Sequence, residues 1–316
     1  MIHSIWSTPH LTSCKSMTRC TILAIFLLAS ITATCGAQGG SPAFEARQSA
    51  RAAQNKLDWQ ISVAAYTFRK FTFFETVDMV AQLGLDRIEG FSFQKISQES
   101  PTPLNPLTMS DEQFEKVLRK LRESRVRLIA LYYGRFPADE ATCQTVFEKS
   151  KKLGVKYFVS EPDPSLLPML DKLGQQYGMI VGLHGHDKKS SPDTWHPALV
   201  AKHCQAFSSA VGAFSDTGHW IRSELDPSDG VAILKDRIVG FEIHDLDAFN
   251  ASGRGVPLGS GVGNLPEMLE TLARVKKGPV LLSIECHSDP DNPVDGVKKS
   301  LEFLDAQAMR LAKLAP

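Results

Sequence analysis

The chain has 316 residues, 43% of them hydrophobic, enough to bury a full core, and its 35 Lys and Arg balance 35 Asp and Glu. A zero net charge gives no basic surface for nucleic acid and no attraction to an anionic membrane, which leaves a small molecule as the expected ligand. Length alone allows two domains, but a single α/β barrel of about 250 residues is also routine.

The first segment reads as a targeting signal. Lys15 and Arg19 precede an apolar run from Thr21 to Ile31, followed by small residues through Ala33, Cys35 and Ala37. This is the order of a secretory signal, predicted over 1–37 and implying export to the periplasm or medium. The apolar run is shorter than the ~20 residues a membrane span needs, so no stable insertion is expected after cleavage. An uncleaved anchor is the alternative. Cleavage there leaves three scattered cysteines, Cys143, Cys204 and Cys286, with no CxxC pair. Neither a disulfide framework nor a cysteine zinc site follows.

Residues 38–58 are expected to be a linker, within which 41–57 could form a short leading helix, and 59–316 one domain. From Gln60 onward, β-rich runs alternate with segments of helical period. Strands are predicted at 61–67, 86–91, 127–133, 156–161, 179–186, 211–217, 238–245 and 280–286. Amphipathic stretches lie between them, one opening on Ser110 as an N-cap. Gly84, Gly154 and Gly178 sit where left-handed helix caps are wanted. Eight βα units predict a single-domain (β/α)8 TIM barrel; an open doubly wound sheet is the alternative. Gly259-Ser-Gly-Val-Gly resembles a dinucleotide fingerprint but follows no predicted strand, so it is discounted.

In such a barrel, chemistry sits at the carboxyl ends of the strands. Five of the nine histidines, His184, His186, His219, His244 and His287, lie within three residues of a predicted strand end, joined by carboxylates from strands four, six and eight. Mixed His and carboxylate donors suit a divalent ion: Mn, Zn, Co or Fe, with Mg a poorer match. His184 and His186 are two apart on a strand and share a face, which calls for a polar cavity. His244 and Glu285 each end an apolar run, where a charge needs a partner. Glu89, Trp220 and Arg254 are expected to bind substrate.

Leu183-His-Gly-His, Asp216-Thr-Gly-His-Trp, Ile243-His244, Pro257-Leu-Gly-Ser-Gly-Val-Gly-Asn and Ser283-Ile-Glu285 together resemble the xylose isomerase-like TIM-barrel superfamily, over roughly 60–312. The resemblance implies a divalent metal on Asp216, His244 and Glu285 with one further ligand. That ligand is assigned to Glu161, because the strand-four Ser160-Glu161 is similar to the inosose dehydratase branch; His184 is the competing candidate. His184, His186 and His219 are then the expected catalytic residues. Many relatives carry His-x-Lys-Asp on strand seven, whereas this chain has His244-Asp245-Leu246-Asp247, which weakens a sugar phosphate as substrate. The implied activity is proton abstraction next to the carbonyl of a keto- or aldo-sugar, giving isomerisation or epimerisation. A β-eliminating lyase on a keto-glycoside or keto-polyol, a sugar-binding barrel without turnover and a metal-dependent hydrolase are the alternatives. The expected partner is a small carbohydrate, and homo-oligomers are compatible with this reading.

Overall fold

A computed structural model describes residues 42–314; the predicted signal over 1–37 lies outside the described residues. The strands are β1 (Trp59–Ala64), β2 (Arg87–Phe91), β3 (Arg127–Tyr132), β4 (Tyr157–Ser160), β5 (Ile180–Leu183), β6 (Val211–Asp216), β7 (Ile238–Ile243), the short β8 (Asp245–Leu246) and β9 (Gly255–Val256), and β10 (Val280–Ile284). All but β8 and β9 pair in parallel and close into an eight-stranded barrel, with β10 hydrogen-bonded to both β7 and β1. Each predicted strand is present, shorter by a few residues, because the polar residues at its end turn into the loops that carry the site.

The helices are α1 (Pro42–Lys56), α2 (Phe73–Gln82), α3 (Asp111–Ser124), α4 (Glu140–Lys152), α5 (Leu167–Tyr177), α6 (Pro197–Cys204), α7 (Thr217–Arg222), α8 (Pro227–Leu234), α9 (Leu265–Val275) and α10 (Pro293–Ala312). Ser110 caps α3 as expected, accepting from the Gln113 amide while the Gln113 side chain accepts from the Ser110 amide. Gly84, Gly154 and Gly178 all have positive φ (71°, 93° and 63°), the conformation a helix-ending glycine supplies without a Cβ penalty. The expected linker is instead helical from Pro42 to Lys56. This helix docks on α10, where Asp305 accepts from Arg47 and, at 2.6 Å, from Gln54. Among the described residues no helix is long and apolar enough to cross a membrane, and Cys143, Cys204 and Cys286 are buried and unbridged.

β8 and β9 form an antiparallel hairpin just past β7. It returns the chain to the glycine-rich loop, whose role is structural. The buried Asp245 carboxylate accepts from the backbone N–H groups of Gly259, Gly261 and Gly263, each at 3.0 Å. A Cβ on Gly261 would sit 2.4 Å from an Asp245 oxygen and 2.2 Å from the Leu246 carbonyl, so the close approach requires glycine. The loop is therefore an internal anion nest that fixes the residue next to His244. Asp245→Ala orphans these three donors and the Leu246 N–H, which also donates to Oδ1 at 3.0 Å, and is expected to destabilise the fold by about 3–5 kcal/mol, read by denaturant unfolding. A loss below about 1 kcal/mol would remove this role.

Candidate active site

The carboxyl ends of the barrel strands surround a cavity of about 280 Å³ lined by His184, His186, Asp216, His219, Glu242 and Glu285, with Tyr66, Phe91, Phe93, Tyr132, Arg222 and His287 completing its wall. Asp216 ends its strand and Glu242 is one residue from the end of β7, while His184, His186, His219 and Glu285 lie one to three residues beyond theirs, at the barrel mouth.

Glu161 follows β4 and organises the histidines of β5. Its Oε1 accepts from the Tyr132 hydroxyl at 2.8 Å and lies 3.3 Å from His184 Nδ1 and 3.0 Å from His186 Nδ1. Its Oε2 accepts from Ser191 at 3.0 Å. Burial opposes its charge, but the hydrogen bonds from His184 and His186 outweigh that and hold the carboxyl far below the usual range. The other nitrogen of His184, Nε2, lies 2.9 Å from Glu242 Oε2. His184 is buried, yet its carboxylate neighbours, Glu161 above all, raise its pKa.

Asp216 caps α7, its Oδ1 accepting from the His219 backbone N–H at 3.0 Å. Its Oδ2 is 3.6 Å from His244 Nδ1 and 3.9 Å from His219 Nε2. Burial pushes His219 down to about 4, and Asp216 offsets this only in part, so the ring is neutral at pH 7. The rings of His186 and His219 stand 4.7 Å apart, centroid to centroid. On the last strand, Glu285 Oε1 lies 2.8 Å from His287 Nε2, and the His287 ring lies 4.6 Å from that of His244.

Donor atoms gather in three triads, each within 4.8 Å: Glu161–His184–His186 and His184–Asp216–Glu242, which share His184, and the separate His244–Glu285–His287. These residues fit a divalent cation. Both ring nitrogens of His244 and Oε1 of Glu242 are buried without a hydrogen-bond partner. Burial, followed by repulsion from Glu285, pushes Glu242 well above the usual carboxylate range. Several buried carboxylates in one place need protons or a cation to balance them.

The structure thus gathers Glu161, His184, His186, Asp216, His219, His244 and Glu285 at one end of the barrel. It does not bring Glu89, Trp220 or Arg254 to the cavity wall, which corrects their expected role in substrate binding. Trp220 lies on the other side of α7, buried edge-on against Phe241 and close to Gly230. Arg254 is exposed in the β8–β9 hairpin, its backbone N–H donating to Asp247 Oδ1 at 2.7 Å. Glu89 is fully buried, and burial reinforced by Glu242 pushes its carboxyl well above the usual range. Sequence reasoning passed over Glu242, which lies two residues before His244. Strand alternation puts the two on one face, a signal that could have found it. The aromatic wall and Arg222 carried no such pattern.

Residues 165–307 match the family model described as xylose isomerase-like TIM barrel. Solved structures agree over most of the chain. An uncharacterised protein of Parabacteroides distasonis is 26% identical, covering 78% of this chain and 98% of its own, with a TM-score of 0.62. The IolI protein with a bound zinc atom shows 16% identity over 78% of this chain and 98% of its own, TM-score 0.63. The probable 3-DHS dehydratase AsbF of Bacillus anthracis, involved in petrobactin synthesis, shows 16% identity over the same shares, TM-score 0.59. No curated protein matches the sequence. With the closed barrel, the chain has the fold of these proteins, and its residues 165–307 are similar to the xylose isomerase-like TIM-barrel family.

Proposed function

We propose that this protein is a divalent-metal-dependent enzyme that removes a proton next to the carbonyl of an unphosphorylated keto- or aldo-sugar, giving an isomerised or epimerised product. The observation that carries the reading is the histidine pair on the cavity wall, His186 held by Glu161 and His219 neutral, beside the buried donors Asp216, His244 and Glu285. Asp216, His244 and Glu285 would hold the metal. His184 is the better fourth ligand than Glu161, because its donor atom gathers within 4.8 Å of those of Asp216 and Glu242, whereas Glu161 gathers only with His184 and His186. When bound, the ion would supply Lewis-acid stabilisation of developing oxyanion charge.

The chain's own residues move the protons. His186 is 39% exposed and presents its second nitrogen as base, while Glu161 balances the charge its ring gains. Neutral His219 can accept or return a proton on the same wall. The same pair favours a second reading, β-elimination from a keto-glycoside or keto-polyol, in which one histidine takes the carbon-bound proton and the other protonates the leaving oxygen. The probable dehydratase AsbF shares the fold.

Incubating metal-loaded protein with keto- and aldo-sugars in D₂O tests both by NMR. Deuterium entering the carbon next to the carbonyl, with a new sugar signal, is the expected result; loss of an alcohol or aglycone selects elimination. No exchange across the panel, with ester cleavage instead, would sink both. We also propose export directed by residues 1–37. The mass of the mature protein from its host should show cleavage near Ala37, and an intact N-terminus would refute it.

A further inference from the structure

Beside the catalytic cavity lies a second one, of about 390 Å³. Tyr66, Phe91 and Phe93 line both, so three aromatic rings form a ridge between them. The rings lie 5.5–6.3 Å apart, centroid to centroid. Tyr66 is 37% and Phe93 54% exposed, unusual for large aromatic side chains with a core available to them. An exposed aromatic ridge between two polar basins suits the apolar C–H face of a sugar ring.

Behind the ridge the chemistry changes. Arg69, Lys70 and Lys95 line the second cavity and no Asp or Glu does. Lys70 is paired with Asp291. The Arg69 guanidinium sits 5.5 Å from the Tyr66 ring centre, which leaves its donors at the edge for a ligand. Gln94 belongs to the same wall; it is only 7% exposed and fixed by its Nε2, which donates to the Phe71 carbonyl and the Thr76 hydroxyl, both at 3.2 Å.

We propose that the second cavity is a subsite for the distal ring of a two-ring carbohydrate, with a uronic acid preferred there. The proposal rests on the reading of the first cavity as a sugar site. The reacting ring occupies the first cavity and the glycosidic link crosses the aromatic ridge. The distal ring lies behind the ridge and gives its carboxylate to Arg69 and Lys95. A single sugar fills only half of this arrangement.

Calorimetry with the metal-loaded protein tests this against methyl β-glucoside, cellobiose and a glucuronosyl-glucose of the same linkage. Cellobiose should bind at least about 10-fold more tightly than the monosaccharide, since each stacked ring adds favourable contact. The uronate should gain about 5-fold more, a gain that shrinks with salt. The Arg69→Gln, Lys95→Gln double variant should erase the uronate gain, and both substitutions are at exposed positions that leave folding intact. Equal affinities for one and two rings, or no binding of any of the three, overturn the subsite. If two rings are preferred but no carbon-bound proton exchanges in D₂O, the subsite stands and the proposed reaction falls. Exchange on a monosaccharide with equal affinities has the opposite meaning.

Discussion

Asp216→Asn is expected to empty the metal site and to lower kcat/KM by at least about 10³-fold, roughly 4 kcal/mol of transition-state stabilisation. The substitution is nearly isosteric, and its effect can be assigned to one oxygen. Oδ1 caps α7 by accepting from the His219 N–H, and an asparagine carbonyl can do the same. Oδ2 is the atom that faces His244 and His219, at 3.6 and 3.9 Å. An amide NH₂ there replaces a donor of electrons with two N–H groups pointing at histidines. The variant should therefore unfold within a few degrees of the parent yet hold less than a tenth of its metal after dialysis, measured by elemental analysis. Full retention of metal would defeat the assignment of Asp216, however low the activity.

That Asp216, His244 and Glu285 were legible in the sequence follows from strand geometry. Each ends an apolar run, and a parallel barrel strand buried on both faces leaves its last polar residue no place but the mouth. The same logic located His184 and His186. It failed for Trp220, which directly follows His219: α7 begins at Thr217, and one step along a helix turns a side chain by about 100°. Trp220 consequently faces Phe241 while His219 faces the cavity. The Asp245 nest was hidden for a different reason. The three donors from the glycine-rich loop are backbone N–H groups 14 to 18 residues away, brought back by the β8–β9 hairpin, and backbone donors leave no mark on residue type. The aromatic ridge was likewise assembled from two separate segments, with Tyr66 after β1, and Phe91 ending β2 and Phe93 just beyond it.

Glu161→Gln separates the two roles open to this carboxylate. If Glu161 balances charge on His186, the variant should keep its metal and a KM within about threefold of the parent, while kcat falls by about 10²–10³-fold. Glutamine can still accept from the Tyr132 hydroxyl, so the site keeps its shape. What it cannot do is stabilise the imidazolium that forms when His186 takes a proton, because the neutral amide replaces the anion 3.0 Å from Nδ1. Glu161→Asp retains the charge at a greater reach and should recover part of the rate. His186→Gln should cost about the same as Glu161→Gln, and the double variant little more, since two groups that act as one unit are lost only once. A metal ligand behaves otherwise. Glu161→Gln would then lose the ion as Asp216→Asn does, and adding excess metal would restore much of kcat. The metal content of this one variant therefore decides between Glu161 and His184 as the fourth ligand, before any substrate is known.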